Sequence, residues 1–189
     1  MPVVFILSLL IALATLRAFP LGLELAFPGM PHQIVAEHFA FIVHISAASV
    51  ALALGAFQMI KTTRNKFLKM HRWIGRIYAL SVAIGGISGL WIALNIDSLI
   101  ALIGFALLAA LWMFTTTKAV LFARSKQIKQ HRKWMIYSFS LTFAAVTLRL
   151  QLAVFTFGMG LQYGAVDMIL AWSCWVPNIL FALWYTRAG

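Results

Sequence analysis

With 189 residues, 63% of them apolar and only 10% charged, the chain carries more apolar surface than a water-soluble domain of its size could bury, so lipid is expected as its solvent. A helix needs about 20 mainly apolar residues to cross a hydrocarbon core of about 30 Å, which leaves room for about six crossings and excludes a separate soluble domain. A formal net charge of +11 would point to nucleic acid in a soluble protein, but here the basic residues sit between apolar spans, so the expected partner is the bilayer and not nucleic acid.

The first span runs from about Pro2 to Phe19. It resembles the apolar region of a signal peptide, yet no positive stretch precedes it and Arg17 closes it, so a retained helix is expected. Five more spans follow, at about Ile34 to Ile60, Trp73 to Leu94, Leu99 to Phe122, Trp134 to Phe157 and Met168 to Tyr185. Backbone polar groups in lipid must be satisfied within their own segment, so closely spaced spans mean helices and not strands. The expected fold is an all-α integral membrane protein, one transmembrane domain of six helices. The connections at Pro20 to Gln33, Asn95 to Ser98 and Gly158 to Asp167 carry turn residues.

The two remaining connections carry Lys61, Arg64, Lys66, Lys69 and Arg72, then Arg124, Lys126, Lys129, Arg132 and Lys133, without an acidic residue. By the positive-inside rule both face the cytoplasm, so both termini are expected inside. With Arg76, Lys118 and Arg187 that makes thirteen of the fifteen basic residues on one side, while Glu24, Glu37, Asp97 and Asp167 fall at the other.

A weak repeat of about 60 residues joins the middle spans. His71-Arg72-Trp73 with Ile77-Tyr78 is echoed by His131-Arg132-Lys133-Trp134 with Ile136-Tyr137, each after a cationic loop. Spans two to five are thus expected to form a pseudo-twofold four-helix core, with spans one and six outside it. Helical spacing aligns His44, Ala48, Ala51, Gly55 and Gln58 in span two, and His71, Gly75, Tyr78, Val82, Gly85 and Gly89 in span three. In span five it aligns His131, Met135, Ser138, Thr142, Ala145 and Arg149. Small and polar stripes mark helix-to-helix contacts in lipid, so these faces look inward. Gly85 and Gly89 form a GxxxG pair, read either as close packing or as room for a flat cofactor.

His71 and His131 stand at the cytoplasmic mouths of two different spans, a precondition for bis-histidine ligation of one b-type haem, with Arg76, Arg72 or Arg132 near the propionates. The competing reading anchors each His-Arg pair at the headgroups, with Trp73 and Trp134 completing an aromatic belt. His44 lies about 25 Å above the inner end of its span, and Arg149 reaches a similar outer depth on span five. A guanidinium there costs about 2.5 to 3.5 kcal/mol on insertion scales and needs an acidic or carbonyl partner, with Glu37, Asp97 and Asp167 as candidates. The pair is read as a quinone, proton or anion site, or as a structural ion pair. His32, Glu37 and His38 match no standard metal spacing. Cys174, the sole cysteine, excludes an internal disulfide and is expected to pack. No carboxylate sits at mid-membrane and no span reads as broken near its middle, which argues against ion-coupled transport.

Several pieces together carry a family resemblance: His44 with Gly55 and Gln58, His71 to Tyr78, Gly104-Phe105 with Leu111-Trp112, His131 to Ile136 with Thr142 to Leu150, and Ala171-Trp172 with Trp175 to Asn178. In these the chain resembles a bacterial family of predicted membrane proteins that carry a domain of unknown function. The resemblance implies a compact helical bundle in the bacterial cytoplasmic membrane and no established activity. A bundle with inward histidines is also similar to the membrane b-type cytochromes, but spans three to six offer no outer histidine to pair with His44, so at most one bis-histidine haem is allowed.

Three functions are therefore in view: a redox protein binding one haem b or a quinone, an accessory or assembly subunit of a larger membrane complex rich in exposed aromatics, and a small-molecule transporter using the His44 and Arg149 pocket. All depend on the orientation, which accessibility labelling checks. The segments around Lys66 and Lys129 are expected to react from one and the same side of the membrane, and opposite sides would overturn the topology.

Overall fold

A computed structural model describes residues 2–26, 37–60, 66–161 and 163–187. Its helices are α1 (Pro2–Leu16), α2 (Ala18–Leu21), α3 (Leu23–Ala26), α4 (His38–Gln58), α5 (Leu68–Leu94), α6 (Leu99–Arg124), α7 (Ile128–Thr142), α8 (Ala144–Ala153), α9 (Tyr163–Ser173) and α10 (Val176–Arg187). Among the described residues there is no strand, and six helical stretches are long and apolar enough to cross a membrane. The fifth runs through α7, α8 and a π-helical turn at Val154–Gly158, and the sixth joins α9 to α10.

The spans run antiparallel to their chain neighbours. At one end the Gln58 amide donates to the His71 carbonyl, and at the other the Trp91 indole donates to Glu37, which fixes α4 against α5 along their whole length. Contacts of Ala119 with His131, Thr116 with Ser138 and Trp112 with Thr142 do the same for α6 and α7. We call the end where α4 turns into α5 and α6 into α7 the basic end.

At the basic end the helices extend further than hydropathy alone suggests. Backbone bonds from His71 to Phe67 and from His131 to Gln127 continue α5 and α7 through Leu68–Arg72 and Ile128–Lys133, because charged side chains reach water without interrupting a helix. At the other end Ser98 caps α6, its hydroxyl accepting from the Ala101 amide. The last connection is short, since α9 already starts at Tyr163 and not at Met168. His32, Lys61 and Arg64 lie outside the described residues.

One expectation is corrected: spans five and six are both interrupted. Span five has an irregular turn at Phe143 and widens into the π-helical turn, and span six breaks at Cys174 and Trp175 ahead of Pro177. Proline has no amide hydrogen, so the Ser173 carbonyl loses its helical donor. In lipid that carbonyl needs another partner, and the Gln151 amide supplies it at 3.3 Å. The Ser173 hydroxyl returns a bond to the Gln151 side-chain oxygen. The Cys174 carbonyl accepts from the Thr147 hydroxyl and from Asn178.

The main core is not confined to spans two to five. Ala51, Tyr78, Val82, Trp112, Leu141 and Ala144 pack with Cys174 and Trp175 of span six. Span one joins through Ala12, which packs against Leu52 and Val146. Contact between spans four and six is close at Gly104, where a Cβ would stand 2.8 Å from the Ala171 carbonyl oxygen and 2.9 Å from its Cβ. A backbone neighbour cannot rotate away, so Gly104→Val is expected to force the two spans apart and to lower the melting temperature of the detergent-solubilised protein by several degrees. Gly164→Ala meets nothing within 4 Å and serves as the control, with no comparable loss in the same thermal-aggregation assay.

Candidate functional site

The interior is organised around Tyr78. Its hydroxyl lies 2.6 Å from Ser138 Oγ and 2.8 Å from Thr142 Oγ1, while the Trp112 indole donates to Thr142 at 2.8 Å and Thr116 lies 2.6 Å from Ser138. The donors can be assigned without leaving one unused. Trp112 and Tyr78 donate to Thr142, Thr142 donates to the Ser138 carbonyl, Ser138 donates to Tyr78, and Thr116 donates to Ser138 or to the Trp112 carbonyl. Three spans are joined by side chains alone at this point.

Tyr78 is seven residues after His71, and Ser138 seven after His131. Their mutual bond therefore brings both histidines to one level, at equivalent places in two hairpins. They are held separately, however. The His71 carbonyl accepts from Gln58, while His131 Nδ1 donates to the Ala119 carbonyl at 2.9 Å. Arg76 lies over the exposed Trp73 ring, 4.9 Å from its centroid, and Trp134 stacks among Phe114, Phe122 and Tyr137.

The glycine stripe is filled by protein. A Cβ at Gly55 would meet Phe139 at 2.8 Å and Tyr78 at 2.9 Å, one at Gly75 would meet Gln58 at 3.1 Å, one at Gly85 the Trp112 ring at 3.3 Å, and one at Gly89 the His44 ring at 2.9 Å. Close packing is thus what the glycines serve on the sides facing Phe139, Tyr78, Gln58, Trp112 and His44, while Gly85 and Gly89 also border open space. Gln58, Tyr78 and Phe139 pack in the bundle near the level of the two histidines.

A cavity of about 220 Å³ lies instead in the half of the bundle away from the basic end. Most of its wall is apolar, including Phe41, Leu52, Phe105, Leu108, Leu141 and Leu148. The polar groups in the wall are few: His44, Arg149, Trp112, Thr142 and Tyr163 are the main ones. His44 Nδ1 stands 2.9 Å from the Gly85 carbonyl, which can only accept, so Nδ1 carries the hydrogen and Nε2 is left for another partner. Arg149 donates Nη1 to the Ala145 carbonyl of its own helix. Among the described side chains it pairs with no carboxylate: Glu37 accepts from Trp91, and Asp167 accepts from the Met168 amide.

His44 and Arg149, aligned by spacing in the sequence, are thus brought to one cavity, whereas His71, His131 and Arg76 do not line it. Thr147, Gln151 and Asn178 are missed by spacing alone. Pro177, just past the end of α9, is the signal that could have found them, because its missing hydrogen demands a polar side chain nearby. For the hydroxyl cluster, Tyr78→Phe is expected to cost about 1 to 2 kcal/mol, two interhelical bonds at the usual strength in membranes, read as a lower midpoint in denaturant titration of the purified protein.

The comparison with curated proteins found no match, and neither did the comparison with solved structures. Residues 41–186 match a protein family described as "Predicted membrane protein (DUF2306)". That stretch holds five of the six spans, the cavity's His44 and Arg149 and both His-Arg helix starts, and the chain belongs to this family of multi-pass membrane proteins of unknown function.

Proposed function

We propose that the protein is a membrane-embedded ligand-binding protein whose cavity takes a lipophilic small molecule from the bilayer. The observation that carries the reading is the cavity itself, a half-open and mostly apolar hollow with the polar side chains of His44 and Arg149 in its wall. Sites for small molecules have this composition: apolar surface supplies affinity, and a few placed polar groups orient the head of the ligand. Lipid-soluble ligands reach such a site without crossing water, and the bundle has no need of a soluble domain.

A quinone-type ring compound is the redox member of this class, and one observation favours it as a second reading. The tautomer of His44 leaves Nε2 as an acceptor for a quinol hydroxyl, while Arg149 has donors left for a quinone carbonyl. The haem reading draws no support from the residues around His71 and His131, because protein side chains fill the neighbouring interior. An accessory role in a larger complex would need no cavity.

The test is binding of an environment-sensitive lipophilic dye and of a short-chain quinone to the purified protein in a non-ionic detergent. Saturable binding is expected, weakened at least tenfold by Ala145→Leu, which places added volume at the cavity wall. Partition without saturation, unchanged by Ala145→Leu, would remove the proposal. A visible absorption spectrum of protein made with ample haem checks the redox branch separately, and a Soret band lost on His71→Ala or His131→Ala would reinstate the haem.

A further inference from the structure

The geometry points to a ligand with a negatively charged head: an acyl-chain amphiphile whose carboxylate or phosphate pairs with Arg149 while its tail occupies the apolar cavity. This rests on the ligand-binding reading above and adds the charge of the head to it.

The argument starts from charge. Arg149 stands in the cavity wall on α8, half-buried, and Thr15, two residues before Arg17 at the end of span one, lines the same cavity. Each guanidinium has a described bond to one peptide carbonyl, Arg149 to Ala145 and Arg17 to Ala26, at 3.0 and 3.1 Å. A carbonyl offers a partial charge only, and a guanidinium offers five donors. Two cations in this part of the bundle, with no described carboxylate paired to either, raise the local potential, and burial makes that potential stronger than it would be in water. Among the described side chains, Glu37, Asp97 and Asp167 form no ion pair with either arginine; Glu37 is engaged by Trp91 and Asp167 by the Met168 amide.

Membrane proteins place an arginine at this depth where a counter-charge or a substrate path requires it. The guanidinium is planar and matches the two oxygens of a carboxylate or phosphate in a paired contact that a neutral carbonyl cannot reproduce. The same wall is mostly apolar, with Leu148, Leu52, Leu108 and Phe105 among its residues. A head that is anionic and a tail that is hydrocarbon satisfy both parts of the site together. Fatty-acid-like carboxylates and anionic phospholipids are two sources of that chemistry.

The experiment compares heads on one tail. The full chain, in nanodiscs of zwitterionic lipid, is titrated with a C16 fatty acid, with the lysophosphatidic acid of the same chain and with the corresponding C16 alcohol, each in competition with a fluorescent fatty acid. At least one anion is expected to bind at least tenfold tighter than the alcohol, and the stronger of the two identifies the source. Arg149→Gln is expected to abolish the preference, Arg149→Lys to keep part of it, and Arg17→Gln to reduce it. Equal binding of acid and alcohol to the wild type would overturn the charged head while leaving the cavity as a ligand site, and this arm needs no variant that folds. Preference for a neutral quinone over both anions would overturn it in the same way. Lack of saturable binding by any compound, including the dye and the quinone, would remove the ligand-binding reading as well.

Discussion

A polar atom inside a bilayer has no water to turn to, and this constraint governs the bundle. Tyr78, Ser138, Thr142, Thr116 and Trp112 meet so that every hydroxyl and the indole find partners on a different helix. Hydrophobic burial offers little force between helices already dissolved in hydrocarbon, so such bonds and close packing set the arrangement. On one side this junction borders the cavity, whose wall includes Trp112 and Thr142, and on the other the spans carry the two histidines at equal height.

The same constraint explains the second seam, between spans five and six. A proline near the middle of a span frees a carbonyl, and Gln151 takes it while Thr147 and Asn178 attend to the next one. The break in one helix therefore requires polar residues in another. Between the irregular turn at Phe143 and the π-helical turn in span five, Thr147 and Gln151 bond to span six while Arg149 lines the cavity.

Much of this arrangement is legible in the order of the residues. Uninterrupted apolar runs locate the spans, and the small and polar stripes identify Tyr78, Ser138 and Thr142 as inward residues. His44 and Arg149 match in depth, because rise along a helix is regular enough to compare two spans. Other features are not legible, for physical reasons. A glycine in a stripe tells that something comes close without telling what, so Trp112 at Gly85 and His44 at Gly89 cannot be read from spacing. Hydropathy averages over a window and passes over Pro177, since the flanking residues are apolar enough to hide the break. Equal depth puts His71 and His131 on one level, but level says nothing of the space between them, and Gln58, Tyr78 and Phe139 take up the interior nearby.

The ring of His44 occupies the volume that a side chain at position 89 would need, and it is tied to the carbonyl four residues earlier on the same helix. The two positions therefore constrain each other's inheritance. A descendant with alanine at 89 would first have to shrink or turn aside the residue at 44, and one that lost the histidine would leave a hole that a larger residue at 89 could then colonise. Variation at these sites should arrive in pairs, a signature that sequences of relatives would carry whatever molecule the pocket holds.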